Sequence, residues 1–425
     1  MSVRKKIGFA LIAVIGVAVA VELGVRLVCW IVGYVPYTVA TPWKQADDVL
    51  LFTFRPNFEG RIYAAQARIN SLGLRGEDVA PKKPPGAWRV LCLGNSTTFG
   101  YSVNEGESYP ARLQQLLRAT YPDRTLEVLN AGTPSYTAYQ GLRFLETRGL
   151  AFEPDVVLVA FGHNDGRFVL KPEQADGPEW FRKTTRGLRG RSRTRFSYAL
   201  LGIQKILRRL MRTDTWEDDV LKLPSQRLED LHVRVDYDAY ATNLREIARM
   251  SRAHNIEPVF LLMSDAPPVR NGLAQARRLR EEKRWDEAIE TLSRIGHDPP
   301  DPQTQKWCRA VVLYEIGKTL DAQGRPEEAQ AKFRESAQAA AFWSLSGGTP
   351  IRDPEQYMRI AKQVADAFGA PTVDVAARLA DRADVFSDHT HYTAEGHRLI
   401  AELVAETLAA QKILPAPGRT EERRP

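Results

Sequence analysis

The chain has 425 residues, of which 44% are hydrophobic, and this length is enough for one large domain plus additions. It carries 59 lysines and arginines against 52 aspartates and glutamates, so its net charge is +7 and its pI is about 9.2. Three cysteines exclude a disulfide-stapled scaffold, and they neither require nor rule out an oxidising compartment.

The first element in the chain is an apolar segment behind a short basic tail. Residues 1–6 include Arg4-Lys5-Lys6, and residues 7–33 are apolar apart from Glu22 and Arg26, which can pair on one helix face. This segment is long enough to cross a membrane, which takes about 20 residues. The basic tail favours a cytoplasmic amino terminus. The sequence therefore predicts a single-pass signal-anchor helix in a bacterial inner (plasma) membrane, with the remaining chain periplasmic or otherwise extracytoplasmic.

Two other interpretations of this segment stay open. Ala18-Val19-Ala20 resembles a cleavage site, so the segment could be a signal peptide that is removed. We favour an uncleaved anchor because the apolar run continues beyond Ala20. A buried helix of a soluble protein is the third option, and the basic residues at its start argue against it. An extracytoplasmic location also argues against nucleic acid as a partner, despite the high pI.

Residues 36–86 form a proline-rich leader and linker, and five predicted strands that alternate with helices follow it. The strands are residues 88–93, 126–129, 156–161, 257–263 and 372–375. This alternation predicts a three-layer α/β/α sandwich with a five-stranded parallel sheet in flavodoxin-like order. We assign residues 87–266 and 352–411 to this domain and residues 412–425 to a flexible tail.

Four polar blocks lie where strands of this domain end or just before its last helix. They are GNSTTFG (Gly94 to Gly100), NAG (Asn130 to Gly132), GHND (Gly162 to Asp165) and DHTH (Asp388 to His391). Ligands bind at the carboxyl ends of the strands in an open parallel sheet, so we expect the blocks to meet in one cleft.

Two insertions interrupt the predicted domain. The first, residues 168–235, contains eleven lysines and arginines and no acid between Phe181 and Arg212. It is either a lid or a contact for anionic headgroups or acidic polysaccharide, or else a solvated arm. The second, residues 267–351, resembles tetratricopeptide repeats, with Ala288 and Ala329 in the second helices of two units. This insertion either binds a protein partner or caps the cleft.

The four blocks supply the parts of a serine hydrolase. A serine hydroxyl needs a base within hydrogen-bond reach, and His391 is suited to that role for Ser96. Asp388, three residues earlier, can fix the tautomer of His391 and stabilise its imidazolium. Donors for the oxyanion would be the N–H groups of Ser96 and Gly132 and the Asn164 side chain.

A metal site is the alternative suggested by the HxH pair of His389 and His391. The chain has seven histidines and no other cluster of ligands, so we predict no metal and no cofactor. His163 is expected to line the cleft, and His397 is expected to be structural.

The blocks resemble those of the SGNH/GDSL esterases and acyl hydrolases, over roughly residues 70–411. That family usually has Gly-Asp-Ser in its first block, whereas this chain has Gly94-Asn95-Ser96. In the family this aspartate mainly supports the turn, a role that asparagine can share. The resemblance implies Ser96, Asp388 and His391 as catalytic residues and Ser96, Gly132 and Asn164 as the oxyanion hole. Arg68 to Gly76 also looks like a leader found in membrane-anchored members of the family.

The predicted function is serine-dependent hydrolysis of an ester through an acyl-serine intermediate. The resemblance implies an O-acylated or O-acetylated substrate, either a small molecule or a carbohydrate of the cell envelope. One alternative is an O-acyltransferase in polysaccharide modification, in which a sugar hydroxyl replaces water. Another is a membrane-anchored scaffold with a vestigial site and partner-binding repeats, and the intact set of catalytic residues argues against it.

Overall fold

The structure is a computed structural model that describes residues 2–31, 42–63, 65–169, 173, 175–193, 197, 199, 232–263, 265–297, 302–344 and 354–414. The strands are β1 Lys44–Asp47, β2 Leu51–Phe54, β3 Glu59–Ile62, β4 Ala65–Arg68, β5 Trp88–Gly94, β6 Leu126–Asn130, β7 Val156–Ala160, β8 Phe168–Val169, β9 His232–Val233, β10 Glu257–Leu261 and β11 Thr372–Val373. The helices are α1 Val3–Ile31, α2 Ser96–Phe99, α3 Tyr109–Thr120, α4 Ala138–Thr147, α5 Pro178–Arg193, α6 Tyr237–Ala253, α7 Pro267–Glu281, α8 Trp285–His297, α9 Pro302–Ala322, α10 Pro326–Ser344, α11 Pro354–Phe368, α12 Val375–Arg378 and α13 Ala394–Ala410.

Five of the strands form the parallel sheet that the sequence predicts. Their order is β11-β10-β7-β5-β6, and every pairing is parallel. The first of these strands in the chain, β5, therefore lies between the second and the third, as in flavodoxin-like sheets. The predicted α/β fold class is confirmed.

Helices cover both faces of this sheet. On one face α3 and α13 pack against each other, and Leu113, Leu117, Ile400 and Val404 belong to the buried cluster beneath them. On the other face α4, α6 and α11 pack side by side. Because neither face meets water, a central strand such as β7 is buried at every residue and has no polar alternation.

Residues 1–55 and 181–215 group as one compact unit, and the rest of the chain groups as another. In the first unit, the stretch Lys5–Val28 of α1 has a mean hydropathy of 2.4 and is long enough to cross a membrane, a test that signal sequences also pass. Glu22 and Arg26 pair at 2.7 Å, as the sequence predicts. The last two residues of the predicted anchor, 32 and 33, lie outside the described residues.

The ends of the basic insertion meet in a short hairpin, in which β8 pairs antiparallel with β9. Helix α5 covers Pro178–Arg193, in the basic part of the insertion. Residues 200–231 lie outside the described residues. Neither the lid nor the solvated arm is therefore tested.

The helical insertion consists of α7 to α10, each packed on the next, around a core of its own. Ala288 and Ala329 are buried, with 0% and 1% exposure. Gly317 lets α9 approach α10 closely, since a Cβ there would lie 2.5 Å from the Phe333 ring. Residues 298–301 and 345–353 lie outside the described part of the chain. The likeness to tetratricopeptide repeats stays a prediction.

Candidate active site

Ser96 lies at the carboxyl end of β5, where it opens the short helix α2. The side-chain oxygen of Asn95 caps this helix by accepting hydrogen bonds from Thr97 N at 3.0 Å and Thr97 Oγ1 at 2.8 Å. Asparagine therefore supplies a capping acceptor where the family usually has aspartate. Ser96 is half-buried, whereas its neighbours Asn95 and Thr97 are buried.

His391 joins Ser96 to Asp388 through two hydrogen bonds. Its Nε2 lies 2.8 Å from Ser96 Oγ, and its Nδ1 lies 2.6 Å from Asp388 Oδ2. The other oxygen of Asp388 accepts the N–H groups of Thr390 and His391, at 2.9 and 2.8 Å. This arrangement brings together the three residues that the sequence places in two distant blocks.

The charge of Asp388 fixes the proton position on His391. Burial alone would raise the pKa of Asp388, but the His391 imidazole and the Thr390 N–H hold it below its ordinary value. A charged carboxylate favours the tautomer with its proton on Nδ1. Nε2 is then left to accept a proton from the hydroxyl of Ser96.

Tyr101, which the sequence did not indicate as a site residue, lies flat against His391. The two ring centroids are 4.3 Å apart and the planes meet at 19°. Tyr63 lies 4.7 Å from Tyr101. Tyr101 directly follows GNSTTFG, but an aromatic residue after a turn is usually a core residue, so position alone could not reveal this contact.

The third block places Asn164 beside the second. Asn164 is 1% exposed, and its Nδ2 donates to the Tyr136 carbonyl at 3.0 Å. The second N–H of this amide has no partner among the described residues. Asp165 ties the third block to the start of α4 by accepting the N–H groups of Gly162 at 3.0 Å and Ala138 at 2.8 Å, and burial raises the pKa of Asp165 to about 7.

The structure gives the N–H of Gly132 a different partner from the predicted oxyanion. This N–H donates to Asn130 Oδ1 at 3.0 Å, and Gly132 is buried. A Cβ at this position would lie 2.3 Å from Phe99 N and 2.6 Å from the Thr98 carbonyl carbon. Glycine is therefore needed so that the second block can pack against α2, and the donor role of Gly132 stays a prediction.

Ser135, three residues further along, has the properties that Gly132 lacks. It is half-buried, its φ is +72°, and its N–H has no partner among the described residues. Its carbonyl accepts Nη1 of Arg234 at 2.7 Å, and the next residue, Tyr136, accepts the Asn164 amide. A positive φ at serine has no signature in the sequence.

The remaining histidines form contacts other than a metal site. His163 Nδ1 lies 3.1 Å from the Asp265 carboxylate, and burial lowers the pKa of His389 to about 4. His397 accepts the Tyr109 N–H at 3.1 Å, within the core. In the part of the chain that the structure describes, no group of three or more His, Cys, Asp and Glu residues is arranged to hold a metal ion.

Comparison with known proteins shows which proteins the chain is similar to. An acetylxylan esterase of Xylanibacter ruminicola is 37% identical over 95 residues, which are 21% of this chain and 18% of that protein. The chain thus spans less than a fifth of the length of this curated relative. Among solved structures, a lipase/acylhydrolase of Enterococcus faecalis is 14% identical to this chain, with a TM-score of 0.37. The aligned region covers 77% of this chain and 100% of that chain.

A variant of the acetylxylan esterase Axe2 of Geobacillus stearothermophilus is also 14% identical, with 80% of this chain and 100% of that chain covered and a TM-score of 0.37. The model of the GDSL-like Lipase/Acylhydrolase family matches residues 92–310, slightly more than half of the chain. The chain therefore belongs to the GDSL-like lipase and acylhydrolase family.

Proposed function

We propose that the protein is an esterase, that Ser96 is its nucleophile, and that His391 and Asp388 activate Ser96. Ser96 Oγ attacks the ester carbonyl carbon while His391 Nε2 takes its proton. When the tetrahedral intermediate collapses, the leaving alcohol takes that proton and the acyl group stays on Ser96. Water then attacks the acyl-serine with the same base, and the acid is released. The hydrogen-bonded chain from Ser96 Oγ to Asp388 carries this proposal.

For the oxyanion we propose the Ser96 N–H, the Asn164 side chain and the Ser135 N–H. The Ser96 N–H is in the first turn of α2, where helix N–H groups lack a partner within the helix. Asn164 has one amide hydrogen beyond the one given to Tyr136. Gly132 stays a predicted donor, and we add Ser135 because its N–H has no partner among the described residues and it is partly exposed beside Asn164.

Asn164→Asp should lower kcat/KM for an aryl acetate by about 100-fold or more, because one oxyanion donor contributes about 3 kcal/mol to transition-state stabilisation. The substitution keeps the shape of the side chain but replaces its N–H donor by an acceptor. Initial rates and the melting temperature, measured on the same preparation, separate a loss of catalysis from a loss of folding. An unchanged kcat/KM would remove Asn164 from the oxyanion hole.

Ser135→Gly should keep the esterase rate within about two-fold, because the backbone N–H remains and glycine adopts a positive φ readily. The same change should leave the melting temperature unchanged or raise it, since the strain of φ +72° is relieved. Rates and thermal unfolding of this variant check both expectations. A folded but inactive variant would show that the hydroxyl of Ser135 takes part in the reaction.

We propose O-acetylated carbohydrate of the cell envelope as the substrate class. The matching acetylxylan esterase supports it, because that protein acts on an acetylated polysaccharide. This proposal is tested by comparing the rate of acetate release from acetylated xylo-oligosaccharides with the rate of hydrolysis of aryl esters of longer acids. Acetate transferred to an added sugar, detected by mass spectrometry, would indicate an acyltransferase instead. The absence of any turnover by the folded protein would favour the scaffold.

For location we propose an uncleaved anchor, because α1 runs from Val3 to Ile31 without a break and its apolar side chains are exposed. An export-dependent reporter fused after Pro425 should be active, and a reporter that works only in the cytoplasm should be inactive. The protein should keep its first 20 residues and need detergent for extraction. A soluble form that begins at Val21 would instead indicate a signal peptide.

A further inference from the structure

We propose that Arg75 is a positioning residue that holds the nucleophile helix α2 and the loop after it in register with His391. This inference rests on the proposed function, since it assigns Arg75 a role relative to Ser96 and His391. It gives a physical role to the stretch Arg68 to Gly76, for which the sequence supplies only a resemblance.

The stretch that carries Arg75 is a compact turn built around Asn70. The Asn70 side-chain oxygen accepts the N–H groups of Leu72 and Leu74, and its Nδ2 donates to the Glu77 carbonyl at 3.0 Å. The Arg75 N–H then donates to the carbonyl of Asn130, the last residue of β6, at 3.1 Å. The backbone of Arg75 is therefore fixed to the sheet next to the strand that precedes Ser96.

The guanidinium of Arg75 caps the carboxyl end of α2. Nη1 donates to the carbonyls of Phe99 at 2.8 Å and Gly100 at 2.7 Å, and Nη2 donates to that of Val103 at 2.8 Å. Phe99 ends the helix and Gly100 caps it, so their carbonyls have no donor within the helix, and Val103 lies in the loop that follows. Gly100 makes room for the cap, because a Cβ there would lie 3.0 Å from Arg75 Nη1.

The charge of Arg75 is enclosed rather than exposed. Its side chain is 2% exposed and lies over the Phe99 ring at 4.7 Å, with the Glu105 carboxylate 3.6 Å from Nε. A buried cation is tolerated only where hydrogen-bond acceptors and a counter-charge are well placed. The site therefore demands the planar fork of arginine, which lysine cannot reproduce.

The loop after α2 connects this cap to the catalytic base. Tyr101 stacks on His391, and Ser102 Oγ accepts a hydrogen bond from Ser387 Oγ at 2.9 Å. A displacement of the loop would therefore shift the imidazole relative to Ser96 Oγ. Misplacement by about 1 Å between reacting groups can cost about 100-fold in rate.

Arg89 provides a matched control within the same sheet. It is 0% exposed and also donates to three main-chain carbonyls, those of Pro81, Phe152 and Ala80. Arg89 lies near the amino end of β5, whereas Ser96 follows the carboxyl end. Substitution of either arginine should therefore lower the stability of the fold, but only substitution of Arg75 should misplace His391 relative to Ser96.

The experiment compares Arg75→Lys with Arg89→Lys in the full-length chain in detergent. We expect both to lower the melting temperature. Only Arg75→Lys should lower kcat, by about ten- to 100-fold at unchanged KM, and slow the reaction of Ser96 with a fluorophosphonate by the same factor. Folded Arg75→Lys with wild-type kcat, or equal loss of kcat in both variants, would overturn the inference.

Arg75→Gln is the second variant, because it removes the buried charge and keeps one amide group to donate. It is used in place of Arg75→Lys if lysine prevents folding. A wild-type kcat in this variant, or a loss of kcat equal to that of Arg89→Lys, would again overturn the inference. Wild-type protein that reacts with the fluorophosphonate at another serine would contradict the proposed function. If the wild-type protein is labelled at Ser96 and the Arg75 variants are labelled equally fast, the role of Arg75 is contradicted and the proposed function stands.

Discussion

Ser96→Ala should lower kcat/KM for an aryl acetate by about 10⁴-fold or more, because it removes the hydroxyl that is hydrogen-bonded to His391 and would carry the acyl group. The substitution removes one half-buried oxygen atom and leaves the α2 cap by Asn95 intact. The melting temperature should therefore stay close to that of the wild type. Initial rates and thermal unfolding on the same preparation measure both quantities.

The matched control for this substitution is Ser135→Gly, in the loop that contacts Asn164 through the Tyr136 carbonyl. It should keep its activity, whereas Ser96→Ala should lose nearly all of it. Retention of most of the esterase rate by Ser96→Ala would remove Ser96 as the nucleophile. Loss of the rate in the control alone would move that role to Ser135.

His391→Ala should lower kcat by at least as much as the loss of any oxyanion donor, since His391 transfers the proton in both half-reactions. Its ring bridges Ser96 Oγ and Asp388 Oδ2 at 2.8 and 2.6 Å, and the structure shows no second base at that serine among the described residues. Asp388→Asn should have a smaller or comparable effect, because it disturbs the tautomer and charge of His391 but leaves Ser96 in place. Rates at several pH values, with substrate above KM, measure these losses.

His389→Gln is the control within the same loop. Burial lowers the pKa of His389 to about 4, so its side chain is neutral near pH 7 and its loss removes no charge. We expect a rate within about ten-fold of the wild type for this variant. An inactive His389→Gln together with an active His391→Ala would assign the base to the other histidine of the HxH pair.

The sheet and the meeting of Ser96 with His391 could be predicted because their signals are local. Apolar runs such as Val156–Ala160 are continuous since both faces of the sheet are covered, and the polar blocks follow directly from the strand ends. Parallel strands bring such blocks to one edge whatever their separation in the chain. The separation of 295 positions between Ser96 and His391 therefore did not hide their proximity.

The residues that escaped prediction act through contacts without a local pattern. Ser135 differs from an ordinary turn serine only in its backbone angle. Arg75 and Tyr101 reach the site from segments whose spacing gives no sign of the carbonyls or the ring that they contact.

Covalent labelling tests the central proposal most directly. The full-length protein in detergent is treated with a fluorophosphonate, digested, and examined by mass spectrometry for the modified residue. We predict a single phosphonylated serine, Ser96, with labelling abolished in Ser96→Ala and strongly slowed in His391→Ala. Modification of a different serine, or no modification of folded protein that still hydrolyses esters, would contradict the proposed mechanism.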